Sequence, residues 1–574
     1  MGKGRNHNNS SQNRGNRNSN SNKGGNSNHQ NRNSNQQDRN AQNTDGITSS
    51  ADGSNNSRRG KGSIMCNDPS WYLQNPSMAS DMANFAWTTP QGSPMRMHNW
   101  VVESAHPLAN IPKWHANPGI LGLEVLPTFG LSIDADSSLN IAMHNIYTDV
   151  RYRNSGGKVY DAPDLFMYHL AIASLFSMMI WIQRTYAFTR LYTQKNDYMP
   201  HAYFAINHLD VTTFESNFAT FHGKILLRLA KLQKFYVPTS MKLFDRMLFL
   251  FRDIYTEGTS LKDQQYMFVP AGFLKLGYDE DGATALKYVF IRDGEYLSMD
   301  AMFAIWDDML AALNSESDIH TMSGDIERAF QGATFRLDPN FAIDYSVNPI
   351  FSIEVLEQIK NARCVGGDYY QEDIVQDESK GWIICRPLSR HTFPSTSGNA
   401  RYAAGATTRA LADNIILTTG TDAVGSALTM SNSRLSVMSY QHDILQNDDS
   451  GLVTQDYLIT GTEIPYRFIV ADYTVDTNRA RLLVFDEYEY TMNLIDQSSG
   501  ADVYKWLKRV ADLSCFKYHP ATLLFVTELN NSSYSYDVSG VAVNYDVDNF
   551  QIVTEEDLRN VHSVAIASLL GLWS

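Results

Sequence analysis

The sequence predicts a mainly α-helical domain, a β-rich domain of α+β type and a disordered N-terminal tail. Residues 1–62 lack the large apolar side chains that a core requires, long apolar helical patterns dominate to about residue 362, and short β-branched runs between turn residues follow from about 365. The chain has 574 residues, more than one hydrophobic core usually serves. We therefore expect two or three folded units.

The tail, residues 1–62, differs in composition and charge from the rest of the chain. It consists mainly of Asn, Ser, Gly, Gln and Arg, and burial of such residues cannot offset the entropy lost on ordering them. Ten basic residues in the tail face three acidic ones, a net charge of +7, whereas the whole chain carries -15 and the remainder therefore -22. A basic segment on an acidic body indicates that the tail binds a polyanion.

RNA is the polyanion that we expect the tail to bind, through charge and without sequence preference. No Phe, Tyr or Trp that could stack on bases precedes Trp71. The alternative is a flexible, solvated tail without a ligand. The tail residues expected to face RNA are Lys3, Arg5, Arg14, Arg17, Lys23, Arg32, Arg39, Arg58, Arg59 and Lys61.

A long helix is predicted over about 161–192, where Asp161 can cap the N-terminus and Pro163 suits the first turn. Residues 165–182 carry no charge, and 18 residues just reach the length of a membrane span. We reject a span, because polar side chains interrupt the run and no positive-inside pattern accompanies it. The stretch is instead expected to be a core helix, without stable membrane insertion. The interrupting residues are His169, Ser174 and Ser177.

A second helix, over 223–236, is predicted to be amphipathic, with a basic stripe opposite its apolar side. Such a stripe is usually a solvated face. The alternative is a surface that faces RNA, since the rest of the body is acidic. The residues of the stripe proposed to face RNA are Lys224, Arg228 and Lys231, and Lys234 continues it.

The region beyond about 365 is predicted to form antiparallel sheet. Strand patterns occur at 414–418, 466–470 and 481–485, and recur at 522–527 and 541–545. A last helix is expected after Thr554, which has Asp557 three residues later as a capping partner. The residues expected on its buried side are Val561, Val564, Ala565 and Leu569.

Residues for catalysis or metal binding are not indicated. The sequence lacks a phosphate loop, a dinucleotide-binding glycine motif, a nucleophile elbow and a zinc helix. The four cysteines lie far apart, which predicts neither a disulfide framework nor a zinc site and fits a reducing compartment. We therefore predict no enzymatic activity, no cofactor and no metal, and assign none of the paired acids to a catalytic or metal site. These acids lie at 279–282, 307–308, 325 with 327, and 447–449.

Several segments resemble picobirnavirus capsid proteins. NDPSWY at 67–72 resembles the opening of the folded part, and NIYTDVR at 145–151 begins a more specific series that leads into the long apolar helix. The similarity covers about 67–362 and follows the order found in the family. The further segments are NSG at 154–156, YDAPDL at 160–165, VPTSM at 237–241, MSGDI at 322–326 and VNP at 347–349.

The resemblance implies a capsid protein with a mainly α-helical shell domain and a β-rich projecting domain. Quasi-symmetric dimers would tile a small icosahedral shell around a double-stranded RNA genome. The expected organisation is a tail at 1–62, a shell domain at 63–270 completed by about 511–574, and a projecting domain at 271–510. The virion, and the host cytoplasm before assembly, are the expected locations; partners would be further copies of the chain, genomic RNA and the viral polymerase.

Two other functions fit parts of the sequence. A cellular RNA-granule scaffold would use the Asn-rich tail as a prion-like element and would need no closed symmetry. An enzyme with an unrecognised site would bring several acids or histidines together in one pocket. Neither explains the ordered series of motifs.

Overall fold

The structure is a computed structural model of the chain. It describes residues 74–83, 94–96, 114–116, 118–155, 159–188, 190, 198–258, 263–291, 296–364, 373–394, 415–418, 425–436, 439–447, 452–474, 479–485, 489–493, 510–520, 522–530, 535–544 and 549–572.

Helices and strands alternate along the described residues. The helices are α1 Pro76–Ala83, α2 Ser138–Arg153, α3 Ala162–Phe188, α4 Tyr198–Ile206, α5 Val211–Ser216, α6 Phe218–Leu232, α7 Leu243–Leu250, α8 Met299–Ser315, α9 Ile319–Ala329, α10 Ile353–Lys360, α11 Ser426–Asn432 and α12 Glu555–Leu569. The strands are β1 Pro94–Arg96, β2 Trp114–Ala116, β3 Ile120–Pro127, β4 Val237–Pro238, β5 Tyr255–Thr256, β6 Gln265–Pro270, β7 Gly272–Tyr278, β8 Thr284–Phe290, β9 Thr334–Phe335, β10 Ile374–Asp377, β11 Trp382–Ile384, β12 Leu388–Pro394, β13 Ile415–Thr418, β14 Ser439–Asn447, β15 Leu452–Leu458, β16 Glu463–Thr474, β17 Arg479–Phe485, β18 Glu489–Asn493, β19 Thr522–Asn530, β20 Ser535–Asn544 and β21 Asn549–Ile552.

Two compact units contain these elements. The first covers residues 1–86 and includes α1, whose Met78 and Met82 are exposed. The second covers residues 87–574 and includes all the other elements. The predicted tail lies outside the described residues.

The second unit is organised around α3, which is buried along nearly its whole length. By length and composition α3 is the one helix among the described residues that could cross a membrane, but 94% of its most apolar window is buried inside the protein. Helices and strands pack against it from several sides, among them α2, α7, α8 and β7. The predicted core helix is therefore confirmed.

Polar groups on α3 tie the surrounding elements to this helix. Ser174 Oγ accepts a hydrogen bond of 2.8 Å from the Leu274 amide on β7, and Ser177 Oγ donates one of 3.0 Å to the Met247 carbonyl on α7. Buried polar groups are costly unless they are paired, so these bonds fix how each neighbour docks.

The largest sheet has the strand order β17-β16-β3-β6-β5. β3 and β6 are parallel, and the other neighbouring strands are antiparallel. The segment predicted to be mainly helical, 63–270, thus supplies three strands to this sheet, and the fold is a mixture of helices and strands. β3 and β6 are buried on both faces, so their sequences are continuous apolar runs. Hydrophobic periodicity cannot distinguish such a run from a buried helix, which is why these strands were not predicted.

Strands predicted beyond 365 are confirmed where residues are described, but the expected antiparallel pairing is wrong for β18 and β19, which are parallel. β13, β16 and β17 cover the three predicted runs, and β19 and β20 cover the later two. The main sheet joins β16 and β17 to β3, so it crosses the predicted boundary at 270. The division into shell and projecting domains stays a prediction.

The last helix, α12, begins as predicted, and of the residues expected on its buried side Ala565 is buried and Leu569 packs against the core. Thr554 accepts a hydrogen bond of 3.2 Å from the Asp557 amide, so the predicted cap is confirmed. Val564, expected to be buried, is 47% exposed, whereas His562 is only 2% exposed. The prediction is wrong for Val564, because the ring of a histidine occupies a core-facing position that apolar spacing does not indicate.

Gly130 sits where the chain passes directly under α12. Its φ of +79° is in the left-handed region, and a Cβ there would lie 2.0 Å from Ile566 Cδ1. Gly282, in the turn between β7 and β8, has a φ of +91° but nothing within 4 Å of such a Cβ. Substitution at Gly282 would cost only the strain of a left-handed backbone, whereas substitution at Gly130 would add a steric clash.

We predict that G130A lowers the free energy of unfolding by about 1–3 kcal/mol more than G282A. Both variants carry the backbone strain of a left-handed alanine, but only G130A displaces the β-branched Ile566, which has one favoured rotamer in a helix. Urea unfolding followed by tryptophan fluorescence measures both. Equal losses of unfolding free energy in the two variants would show that α12 shifts to accommodate the alanine side chain at position 130 at no energetic cost.

Candidate nucleic-acid interface

Only some of the residues predicted to face RNA are among those that the structure describes. Lys224, Arg228 and Lys231 are on α6, and Lys234 follows one turn later. The ten tail residues predicted to face RNA lie outside the described residues. The geometry of the α6 residues is therefore the part of the predicted interface that can be described.

The sequence of α6 separates apolar and basic residues around the helix. Its buried apolar residues are Phe221, Ile225, Leu229 and Leu232. Because this face docks on the core, the basic side chains are directed toward the neighbouring helix α8.

Polar side chains at seven-residue spacing lie on α8 opposite the basic stripe. They are Asp300, Asp307 and Asn314. Residues seven apart occupy nearly the same side of an α-helix, so the three form one row. The Ser298 hydroxyl caps α8 by accepting a hydrogen bond of 3.2 Å from the Ala301 amide, which places Asp300 in the first turn.

Each basic residue of α6 meets a partner on α8. Lys224 Nζ lies 2.5 Å from Asp300 Oδ1, Arg228 Nη2 pairs with Asp307 Oδ2, and Lys231 Nζ lies 3.4 Å from Asp307 Oδ1. Beyond the helix, Lys234 Nζ donates to Asn314 Oδ1 at 2.7 Å. Two carboxylates thus offset most of the charge of the three predicted RNA-facing cations.

Arg228 is a packed residue and not an exposed cation. It is 8% exposed, its guanidinium carbon lies 4.0 Å from the centre of the Phe303 ring, and its Nη1 donates to the Lys224 carbonyl at 3.1 Å. A cation held over an aromatic face and paired with a carboxylate stabilises the contact between two helices. This geometry favours a structural role for Arg228.

Lys231 and Lys234 border a surface groove of about 740 Å³ between α6 and α8. Burial lowers the pKa of Lys234 from its ordinary value, and burial together with Lys234 lowers the pKa of the neighbouring His320. Lys231 shares Asp307 with Arg228, and RNA contact by the α6 stripe stays a prediction. The lining residues are Ala230, Lys231, Gln233, Lys234, Asp307, Leu310, Ala311 and Asn314.

The acid pairs noted in the sequence do not converge. Asp307 and Asp308 point in different directions, since Asp308 pairs with Lys275 at 2.6 Å. Asp279 accepts amide hydrogen bonds within the turn that ends at Gly282, and Asp325 pairs with the Tyr160 hydroxyl at 2.7 Å. Residues 448–449 lie outside the described residues. Within the described residues, no group of three or more His, Cys, Asp or Glu is placed to hold a metal ion.

Two buried charge clusters were missed by the sequence analysis. Glu124 on β3 pairs with Arg467 on β16 and with His208 after α4, and all three are buried. The sequence feature that could have predicted this cluster is the single acid, Glu124, in the apolar run of β3, because a buried carboxylate needs a partner. The partner itself lies 343 residues away and could not be identified from spacing.

The second buried cluster joins Glu463, at the start of β16, to Arg246 on α7. Arg246 Nε and Nη2 donate to the two carboxylate oxygens at 2.7 Å and 3.0 Å. Burial by itself raises the pKa of Glu463, but the charge and hydrogen bonds of Arg246 and the charge of Arg434 outweigh burial and lower it. Glu463 is therefore a charged residue in the interior.

Comparisons with known proteins agree with one another. A family model described as "Picobirnavirus, Capsid protein" matches residues 71–497. A capsid protein precursor of human picobirnavirus, strain Human/Thailand/Hy005102, is 23% identical in an alignment of 525 positions that covers 88% of this chain and 91% of that protein. A solved structure, the X-ray structure of the picobirnavirus capsid, superposes with a TM-score of 0.69 at 19% identity and covers 88% of this chain and 98% of the other.

We predict that R228A lowers the free energy of unfolding by about 2 kcal/mol, because it removes the ring contact and leaves Asp307 without its buried partner. K231A, which removes an exposed cation from the same carboxylate, is the matched control and should change the free energy of unfolding by about 0.5 kcal/mol or less. Urea unfolding of both variants provides the measurement. Similar losses for the two would contradict the structural role of Arg228.

Proposed function

We propose, since this chain belongs to the picobirnavirus capsid protein family, that its copies pair as dimers and close into an icosahedral shell around a double-stranded RNA genome. Members of this family are non-enzymatic structural proteins of the virion. The observation that carries the proposal is the family match over 71–497, which includes both the helical and the strand-rich part.

Exposed apolar side chains support self-association. Ile343, Ile350 and Phe351 are 66%, 45% and 52% exposed, and they lie within nine residues of one another. The segment is held in place, because the Ile343 carbonyl accepts from the Tyr186 hydroxyl at 2.7 Å and Ile350 exchanges backbone hydrogen bonds with Ile254 and Thr256. Rigid, exposed apolar residues are typical of subunit interfaces.

The tail is the part of the chain best suited to bind the genome. Its ten basic residues give residues 1–62 a charge of +7, and the sequence there offers few carboxylates to compensate them. The cations of α6, in contrast, are already paired with α8. Binding to RNA backbone depends on cations that can neutralise phosphates, so we assign it mainly to the tail.

Location and further partners follow from the same proposal. Assembly would take place in the reducing host cytoplasm, which fits four cysteines without a pairing pattern. Among the described residues, Cys385 is buried and is not part of a disulfide. The viral polymerase would be enclosed with the genome and is the third partner that we propose.

We predict that deletion of residues 1–62 leaves closed particles but removes most of their RNA. A full-length variant with the ten basic tail residues changed to Gln is the matched control, since it keeps the length of the tail and loses only its charge. Negative-stain electron microscopy and the ratio of absorbance at 260 and 280 nm are recorded on the same purified fraction.

Two results would contradict parts of this proposal. Unchanged RNA content in both tail variants would exclude the tail as the RNA-binding segment. RNA binding would then be assigned to Lys224 and Lys231, and changing these two residues to Gln should lower the RNA content of the particles. Full-length protein that stays monomeric or associates irregularly would contradict the shell and favour a scaffold.

A further inference from the structure

The buried face of α12 contains a histidine whose hydrogen bonds define its charge state. His562 Nε2 lies 3.0 Å from the Ser433 carbonyl, which can only accept, so Nε2 carries the proton. His562 Nδ1 lies 3.3 Å from Thr460 Oγ1 and accepts from that hydroxyl. The ring is therefore neutral, and it joins α12 to the turn after α11 and to the segment before β16.

Positive charge is already in excess around this ring. Arg434, next to Ser433, donates to the Thr462 hydroxyl at 2.9 Å, and this hydroxyl donates to Glu463 at 2.6 Å. Glu463 is in turn bound by Arg246. Two guanidinium groups and one carboxylate give this cluster a charge of +1, and Arg434 Nε has no hydrogen-bond partner among the described residues.

Among the described side chains, no carboxylate hydrogen-bonds to the ring. The charged and histidine side chains of α2 are all exposed, and α11 has none in its sequence. β14 carries His442 and Asp443 in its sequence. The residues on α2 are His144, Asp149, Arg151 and Arg153.

We propose that His562 makes α12 an acid-released latch, in which protonation of one buried ring beside Arg434 detaches α12 from the turn at Ser433 and the segment at Thr460. Release would expose Leu558 and Ile566, which the latched helix keeps buried. The proposal concerns the single chain and does not depend on how copies assemble.

The direction of the effect follows from linkage. Burial, with the charge of Arg434, lowers the pKa of His562 to about 4, whereas an exposed ring titrates near 6.5. Above about pH 6.5 both the latched and released forms are neutral. Between about 6.5 and 4 only the released form binds the proton, so the ratio of latched to released forms falls about tenfold for each pH unit. This ratio is roughly 20-fold lower at pH 5 than at pH 7.

Hydrogen exchange measured by mass spectrometry on the full chain tests the latch. We expect peptides of α12 to lose protection between pH 7 and pH 5, after correction for intrinsic exchange rates, while peptides of α3 keep theirs. The comparison within one sample is needed because burial also lowers the pKa of His169 on α3 to about 4, which makes the core itself sensitive to acid.

Variants identify the titrating group. H562Q can keep both hydrogen bonds without titrating, and its α12 protection should not depend on pH in this range. R434Q removes the positive charge beside the ring and should reduce the pH dependence of α12 protection. This pH dependence can be measured even if the variant lowers the protection of α12 at every pH. H144Q, on exposed α2, and H442Q, on β14, are the controls and should behave like the unaltered chain.

Either of two results would overturn the latch. One is protection of α12 that does not change down to pH 4.5, or that is lost only together with α3. The other is pH dependence that persists in H562Q, or that H442Q abolishes instead.

Discussion

Burial of α3 on all sides is the constraint on which the rest of the structure depends. A helix of 27 residues with an apolar surface all round must be covered in every direction, which requires a large surrounding layer of helices and strands. The polar groups on α3 then limit how that layer is arranged, since each must find a partner. Trp181 Nε1 and Arg184 share the Asn207 side chain, and Arg184 also binds the Phe268 carbonyl on β6. Core helix and main sheet are thus fixed together.

Buried charges extend this arrangement across the chain. Glu124 and Arg467 pair within neighbouring strands that are far apart in sequence, and Arg246 with Glu463 joins α7 to the same strand, β16. Breaking such a pair leaves an uncompensated buried charge, so the pairs favour one arrangement of distant segments over others. A subunit that must pair with identical copies benefits from that uniqueness, because one wrongly docked segment would alter every contact surface.

The sequence predicted elements whose patterns are local and missed contacts that depend on distant partners. The start of α3, the strands beyond 365 and the Thr554 cap follow from neighbouring residues, and the structure confirms them. The pairing of Arg228 with Asp307 spans 79 residues, so the basic stripe alone did not show that its charge was offset. The seven-residue row on α8 was visible in the sequence, but nothing local placed it against α6. His562 was missed because a histidine can be buried as a neutral ring, which apolar spacing ignores.

Charge is divided between parts of the chain in a way that suits a container for RNA. On the described surface of α6, carboxylates of α8 offset the cations, and the body as a whole is acidic. An acidic wall repels phosphate, so an RNA held inside it needs cations on a separate segment that can reach inward. In the proposed function the tail would supply those cations, without requiring any surface of the folded body to become basic. Self-association and RNA binding would then be altered independently, because the residues proposed for each lie in different parts of the sequence.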